Sequence, residues 1–128
     1  MEFLTRKWIK PEDLNPNGTL FGGSLLAWID EEAAIYAITL LKSPYIVTKF
    51  MSEIDFVSSA RSGDIIEMGM EVSNVGRTSI TLRCTVRNVM TRHTVIAIEK
   101  ITLVNLDSSG ISSPHGFSME DVERLQDR

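Results

Sequence analysis

Cysteine is almost absent from this chain, since Cys84 is the only one among 128 residues. A single cysteine can form neither an intrachain disulfide nor a cysteine metal cluster, so a reducing compartment, the cytoplasm, is the simplest expectation. The two histidines, His93 and His115, do not have the spacing of metal ligands. Neither of the common glycine-rich nucleotide loops occurs. We therefore expect no metal and no cofactor.

An excess of positive charge is also lacking. Thirteen Lys and Arg against 17 Asp and Glu give a net charge of −4, so the basic footprint of a nucleic-acid-binding protein is missing. A local basic pocket for a phosphorylated ligand remains compatible with this balance. The opening MEFLTRKWIK has no apolar signal-peptide core, and the most apolar helical segment, residues 33–41, is too short to span a bilayer. We expect neither nucleic acid nor a membrane as a partner.

The apolar pattern predicts an α+β fold built from one long helix and an antiparallel sheet. Residues 2–9 have strand character, and residues 22–42 form an apolar helix that Pro44 ends. Four strand-like runs follow, and residues 80–87 alternate most clearly between apolar and polar. Alanine and glycine along the helix suit a sheet that lies close around it. Residues 1–107 are predicted to be one domain, and residues 108–128 a tail that is either a short helix or mobile.

Asp30 is the unusual residue of the predicted helix. On a helical wheel its face is otherwise apolar: Gly23, Leu26, Ala27, Ala33, Ala34, Ala37 and Leu41. An ionised carboxylate among apolar groups is costly unless it has partners. Glu31 and Glu32 fall toward the polar side and are predicted to be solvated.

The segment LNPNGTLFGGSLLAWIDEEA resembles the signature of hotdog-fold acyl-CoA thioesterases, the group with bacterial short- and medium-chain hydrolases and the brain-type enzyme. IVTKFMSEIDF, RSGD and VGRTS also fit, in order, so the resemblance covers about residues 2–107. It departs from the family where Ser59 or Ala60 replaces a common proline and where Lys49 replaces a small or apolar residue. The signature positions are Asn15, Gly18, Phe21, Gly22, Gly23 and Asp30.

The resemblance assigns chemistry to four residues. The N–H groups of Gly22 and Gly23, Gly23 foremost, would polarise the thioester carbonyl at the start of the helix, where the dipole favours negative charge. Asp30 would be the general base or the nucleophile, and Asn15 would orient water or contact the thioester. Each residue also has a purely structural interpretation: glycines permit close packing, an aspartate caps a neighbour, and Asn-Pro-Asn-Gly is a natural turn. The motif register favours Asn15 over Asn17.

The resemblance also implies a substrate site and an assembly. Arg77, Thr78 and Ser79 are the best candidates for contacting the phosphate or pantetheine of coenzyme A. Thr48 corresponds to a threonine near the acyl group, and Arg61 is a second candidate for a phosphate or else a solvated side chain. In this family Asn and Asp come from opposite subunits of a dimer. A homodimer is therefore the expected minimum, and a trimer of dimers, a hexamer, is plausible.

Two other functions remain open from the sequence. A hydroxyacyl dehydratase of the same fold would use a histidine before or at the start of the helix, and this segment contains none. A non-catalytic acyl-CoA-binding module would be expected to lack Asp30 or Asn15, and this chain has both. Acyl-CoA hydrolysis is the function that the resemblance favours.

Overall fold

One long helix lies against an antiparallel sheet in the computed structural model, which describes residues 1–126. The sheet order is β1-β4-β5-β6-β2, and β3 also pairs with β6. The predicted α+β architecture is confirmed. The elements in chain order are β1 (Glu2–Trp8), a 3-10 turn (Pro11–Asp13), α1 (Gly22–Leu41), β2 (Ile46–Met51), β3 (Ile54–Phe56), β4 (Ile65–Val75), β5 (Ser79–Asn88), β6 (Thr94–Asn105) and α2 (Met119–Gln126).

The first strand-like run after the helix, residues 45–59, is two strands rather than one. Strand β2 pairs with residues 101–105 of β6, whereas β3 pairs with residues 96–98. Between them the Ser52 N–H donates to the Lys100 carbonyl, and the Lys100 N–H donates to Ser52 Oγ. The serine hydroxyl thus takes a backbone donor that a continuous ladder would use. Strands β2 and β3 together form one edge of the sheet.

Helix α1 packs on the sheet through a stripe of apolar residues. Leu25, Ile29, Ala33, Ala37 and Leu41 are buried. Their spacing of four residues places them on one side of the helix. The helix ends where Lys42 adopts the left-handed conformation (φ 53°), just before Ser43 and Pro44. The predicted end of the helix is therefore correct to within one residue.

The tail contains the short helix that was one of its two predicted forms. The Ser118 hydroxyl accepts from the Asp121 N–H, and Asp121 Oδ2 accepts from the Ser118 N–H, so α2 begins with a reciprocal cap. Val122 is fully buried, and the Gln126 amide donates to the Tyr36 hydroxyl of α1. Within the part of the chain that the structure describes, no helix is long and apolar enough to cross a membrane.

Candidate active site

Asp30 lies in an open depression between α1 and the edge strand β2. Its carboxylate is exposed, and Oδ1 accepts a hydrogen bond from Thr48 Oγ1 at 2.5 Å. The depression has a volume of about 560 Å³. Its lining consists of Gly23, Leu26, Ala27 and Asp30 from the helix and Thr48, Lys49, Phe50 and Met51 from β2. Asp30 and Thr48, both predicted site residues, are thus in direct contact.

The predicted surroundings of Asp30 are partly wrong. Gly23, Leu26 and Ala27 do share its face, but that face is exposed to solvent beside the β2 edge and does not pack into the core. Helix α1 has apolar residues nearly all round, so the wheel could not distinguish its buried side from this one. Asp30 therefore stays hydrated in the single chain.

Glu32 was predicted to be solvated, and it is buried instead, with 9% of its surface exposed. It follows Ile29 by three residues and so shares the buried stripe of α1. Burial, followed by the nearby Glu32 carboxylate, raises the pKa of the Cys84 thiol to about 12. Because the thiolate is the nucleophilic form, Cys84 is inert at neutral pH.

Asn15 lies in a second depression, of about 330 Å³, at the start of α1. Gly22 and Phe56 line it as well, whereas Asp30 and Gly23 belong to the first depression. Asn15 Oδ1 accepts from the backbone N–H groups of Asn17 and Thr19 at 2.9 and 3.2 Å, so its side chain also organises the turn. Its Nδ2 donates one proton to Thr19 Oγ1 at 3.0 Å. Among residues 1–126 no acceptor receives the second amide proton.

The two glycines at the start of α1 have both properties that the sequence suggested. Among residues 1–126 no backbone or side-chain acceptor receives the N–H groups of Gly22 and Gly23. A Cβ on Gly23 would lie 2.7 Å from the Phe21 ring, and one on Gly22 would lie 3.3 Å from the Phe56 ring. Close packing and free amide donors therefore occur together. Phe56, about half exposed, was not among the predicted site residues, since only tertiary contact brings it to the helix start.

The predicted phosphate contacts fall in two separate places. Arg61 pairs with Thr19 beside the Asn15 depression, whereas the Arg77–Ser79 turn follows β4 at its other end. The intervening strand spans roughly 35 Å when extended, so one chain does not bring the two arginines together. Within the described range, no group of three His, Cys, Asp or Glu side chains is placed to hold a metal ion.

The comparisons with known proteins agree on one family. The model of the Thioesterase superfamily matches residues 17–93. An uncharacterized acyl-CoA thioester hydrolase of Bacillus subtilis is 33% identical over 107 residues, which are 81% of this chain and 62% of that protein. The chain spans between 51% and 62% of the length of the curated relatives that it matches.

Solved structures share the fold over nearly the whole chain. A hexameric hotdog fold thioesterase of Campylobacter jejuni is 31% identical with a TM-score of 0.76, covering 97% of this chain and 95% of that one. The acyl-CoA hydrolase of Staphylococcus aureus, solved with butyryl coenzyme A and coenzyme A, is 27% identical with a TM-score of 0.77, covering 97% and 83%. That hydrolase was also solved as two alanine variants, whose replaced asparagine stands 15 positions before the replaced aspartate.

Proposed function

This chain belongs to the thioesterase superfamily, and we propose that it hydrolyses acyl-CoA thioesters at a site shared between two copies of the chain. The names of its relatives and structural neighbours support the substrate class. Asn15 stands 15 positions before Asp30. The asparagine and aspartate replaced in the S. aureus hydrolase have the same separation, which supports these two residues as the reacting pair.

The observation that carries the shared site is the separation of Asn15 and Asp30 into two depressions. Both depressions lie along the edge formed by β2 and β3, one beside Thr48 and the other beside Phe56. That edge has no further strand in the described chain, and Val47 and Phe50 are about half exposed on it. A free edge with apolar side chains is a template for pairing with another strand.

A second copy can complete the site by antiparallel pairing at this edge. In a two-fold interface, residue i of one copy contacts residue j of the other, and the reverse contact follows. A two-fold axis near Ser52, midway between Thr48 and Phe56, would bring the Asp30 depression of each copy to the Asn15 depression of its partner. The dimer is then the minimum active unit. The hexameric neighbours support further assembly into a trimer of dimers.

Each residue of such a site has a separate role in the reaction. The free amides of Gly22 and Gly23 donate to the thioester oxygen, where negative charge develops as the carbonyl carbon is attacked. The carboxylate of Asp30, oriented by Thr48, removes a proton from a water that Asn15 holds, and the water oxygen bonds to the carbonyl carbon. The C–S bond then breaks, and the thiolate of coenzyme A leaves and is protonated.

Direct attack by Asp30 is the second route, through a mixed anhydride that water then cleaves. A single turnover in water labelled with ¹⁸O distinguishes the two routes. Label in the Asp30 carboxylate supports direct attack, with water cleaving the anhydride at the Asp30 carbonyl. Because water that cleaves the anhydride at the acyl carbonyl would also label the acid, label in the acid product supports water activation when hydroxylamine traps no acyl-Asp30 anhydride.

The test of the proposed function is the hydrolysis of acyl-CoA by Asp30→Asn. We expect this variant to lose at least about 100-fold in kcat/KM, because the amide cannot accept a proton or attack. Its thermal unfolding should match that of the wild type, since Asp30 is exposed. Glu31→Gln, the neighbouring exposed acid, is the matched control and should retain full activity. A wild-type chain that binds acyl-CoA without hydrolysing it would instead indicate a binding module.

A further inference from the structure

The segment after β6 turns back and crosses the loop between β4 and β5. We call residues 107–118 the C-terminal strap and residues 77–79 the arginine turn. Asp107 Oδ1 accepts from the backbone N–H groups of Ser109 and Ile111, which reverses the chain direction. The Ser113 N–H then donates to the carbonyl of Asn105. The strap is thereby directed onto the arginine turn.

All three carbonyls of the arginine turn accept hydrogen bonds, two of them from His115 of the strap and one from Asn105 of β6, and the Ser79 carbonyl also accepts from the Gly76 N–H at 2.9 Å. The His115 N–H donates to the Arg77 carbonyl at 3.3 Å, and the Asn105 N–H donates to that of Thr78 at 2.7 Å. His115 Nε2 bonds to the Ser79 carbonyl at 2.9 Å. His115 thus contacts the first and the last residue of the turn.

The bonds of the His115 ring define its tautomer. The Phe117 backbone N–H donates to Nδ1 at 3.0 Å, so Nδ1 must be an acceptor. Nε2 therefore carries the proton that it donates to the Ser79 carbonyl. Both ring nitrogens are used, and the ring links the strap to the turn without a free polar atom.

The backbone N–H groups and the guanidinium of the arginine turn are available to a ligand. Within residues 1–126 the amide N–H groups of Arg77 and Thr78 donate to no protein acceptor, and the Arg77 side chain is exposed without an ion pair. Successive amides beside a guanidinium are a recurrent arrangement for binding a phosphate. Ser79 pairs with Val104, which in turn pairs with Val47, so the turn lies about two strand spacings, roughly 10 Å, from β2.

We propose that His115 is a positioning residue, which holds the arginine turn in the shape that binds the phosphates of coenzyme A. The proposal rests on the proposed function, since it assigns the phosphate end of the same substrate. The pantetheine arm would then run from the turn toward the thioester beside Thr48. Because the strap holds only carbonyls, its loss leaves the donors of the turn present but no longer convergent.

The experiment compares His115→Ala with the wild type on two substrates. Acyl-CoA carries the phosphates, whereas the matching acyl-pantetheine lacks all of them. We expect His115→Ala to raise KM for acyl-CoA about five- to tenfold, with kcat changed less than about twofold, because the lost binding is equal in the ground state and the transition state. The KM for acyl-pantetheine should not change. His115→Gln, which can still donate to the Ser79 carbonyl, should recover part of the loss, and His93→Ala is the control because its exposed side chain makes no hydrogen bond within the described residues.

Binding of coenzyme A by calorimetry separates this proposal from the proposed function, because it requires no turnover. His115→Ala or His115→Gln should weaken coenzyme A but not pantetheine. Equal effects on both ligands, or no effect on coenzyme A, would overturn the positioning role even if hydrolysis is observed. A wild-type chain that binds no coenzyme A would overturn it as well. Should His115→Ala fail to fold, His115→Gln alone decides between these outcomes.

Discussion

Mixing two inactive variants of this chain is expected to restore a defined fraction of the activity. Asn15→Ala removes the asparagine of every site, and Asp30→Ala removes the aspartate. If each site takes Asn15 from one copy and Asp30 from the other, a dimer with one copy of each variant has one intact site and one doubly defective site. Random exchange makes half of the dimers hybrids, so about a quarter of the wild-type sites return.

The reciprocal mixture gives the sharper test. A hybrid between the wild type and the double variant Asn15→Ala/Asp30→Ala contains no intact shared site, since each site lacks one of its two residues. An equal mixture should then show about a quarter of the activity of the same total amount of wild type. Sites contained within single chains would give about half in this mixture and no recovery in the first.

The assay is acyl-CoA hydrolysis with a thiol reagent after the variants have been mixed and allowed to exchange. Native mass spectrometry measures the hybrid fraction in the same sample. Because the Asn15 amide also organises its turn, thermal unfolding checks that Asn15→Ala is folded, and Asn15→Asp, which retains the acceptor oxygen, is the second variant. Absence of recovery in a sample with half hybrids would refute the shared site.

Two further predictions concern the hydroxyl beside Asp30 and the outer face of the sheet. Thr48→Val should lower kcat/KM about tenfold, because Asp30 loses the donor that orients it, whereas Thr48→Ser should retain activity. Glu67 is 5% exposed in its side chain, and Arg87 Nε donates to it at 2.6 Å, which lowers the pKa of Glu67. Glu67→Gln should cost about 2 kcal/mol in urea unfolding at pH 7. In the wild type the stabilisation by ionised Glu67 is fully present above its unfolded pKa of about 4.3 and is lost as the pH falls through its lower folded pKa. The free energy of unfolding of Glu67→Gln should therefore depend less on pH in the acid range.

The sequence alone determined the elements of this protein and the positions of its motif. Apolar periodicity and Pro44 give the helix with its end, and alternation gives β5, because these signals depend on residues that are close in the chain. The separation of Asn15 from Asp30 is likewise a property of the chain itself. The break at Ser52 was missed because it depends on a bond to Lys100, almost 50 residues away.

Only the tertiary structure decided which side of the helix is buried and what each motif residue contacts. An apolar helix offers several equivalent faces, and packing on the sheet selected the one that buries Glu32 and leaves Asp30 at the open edge beside Thr48. The structure likewise placed His115, which belongs to no motif of the sequence, against the arginine turn. The buried side of the helix and these side-chain contacts depend on segments far apart in the chain, and local sequence patterns do not determine such contacts.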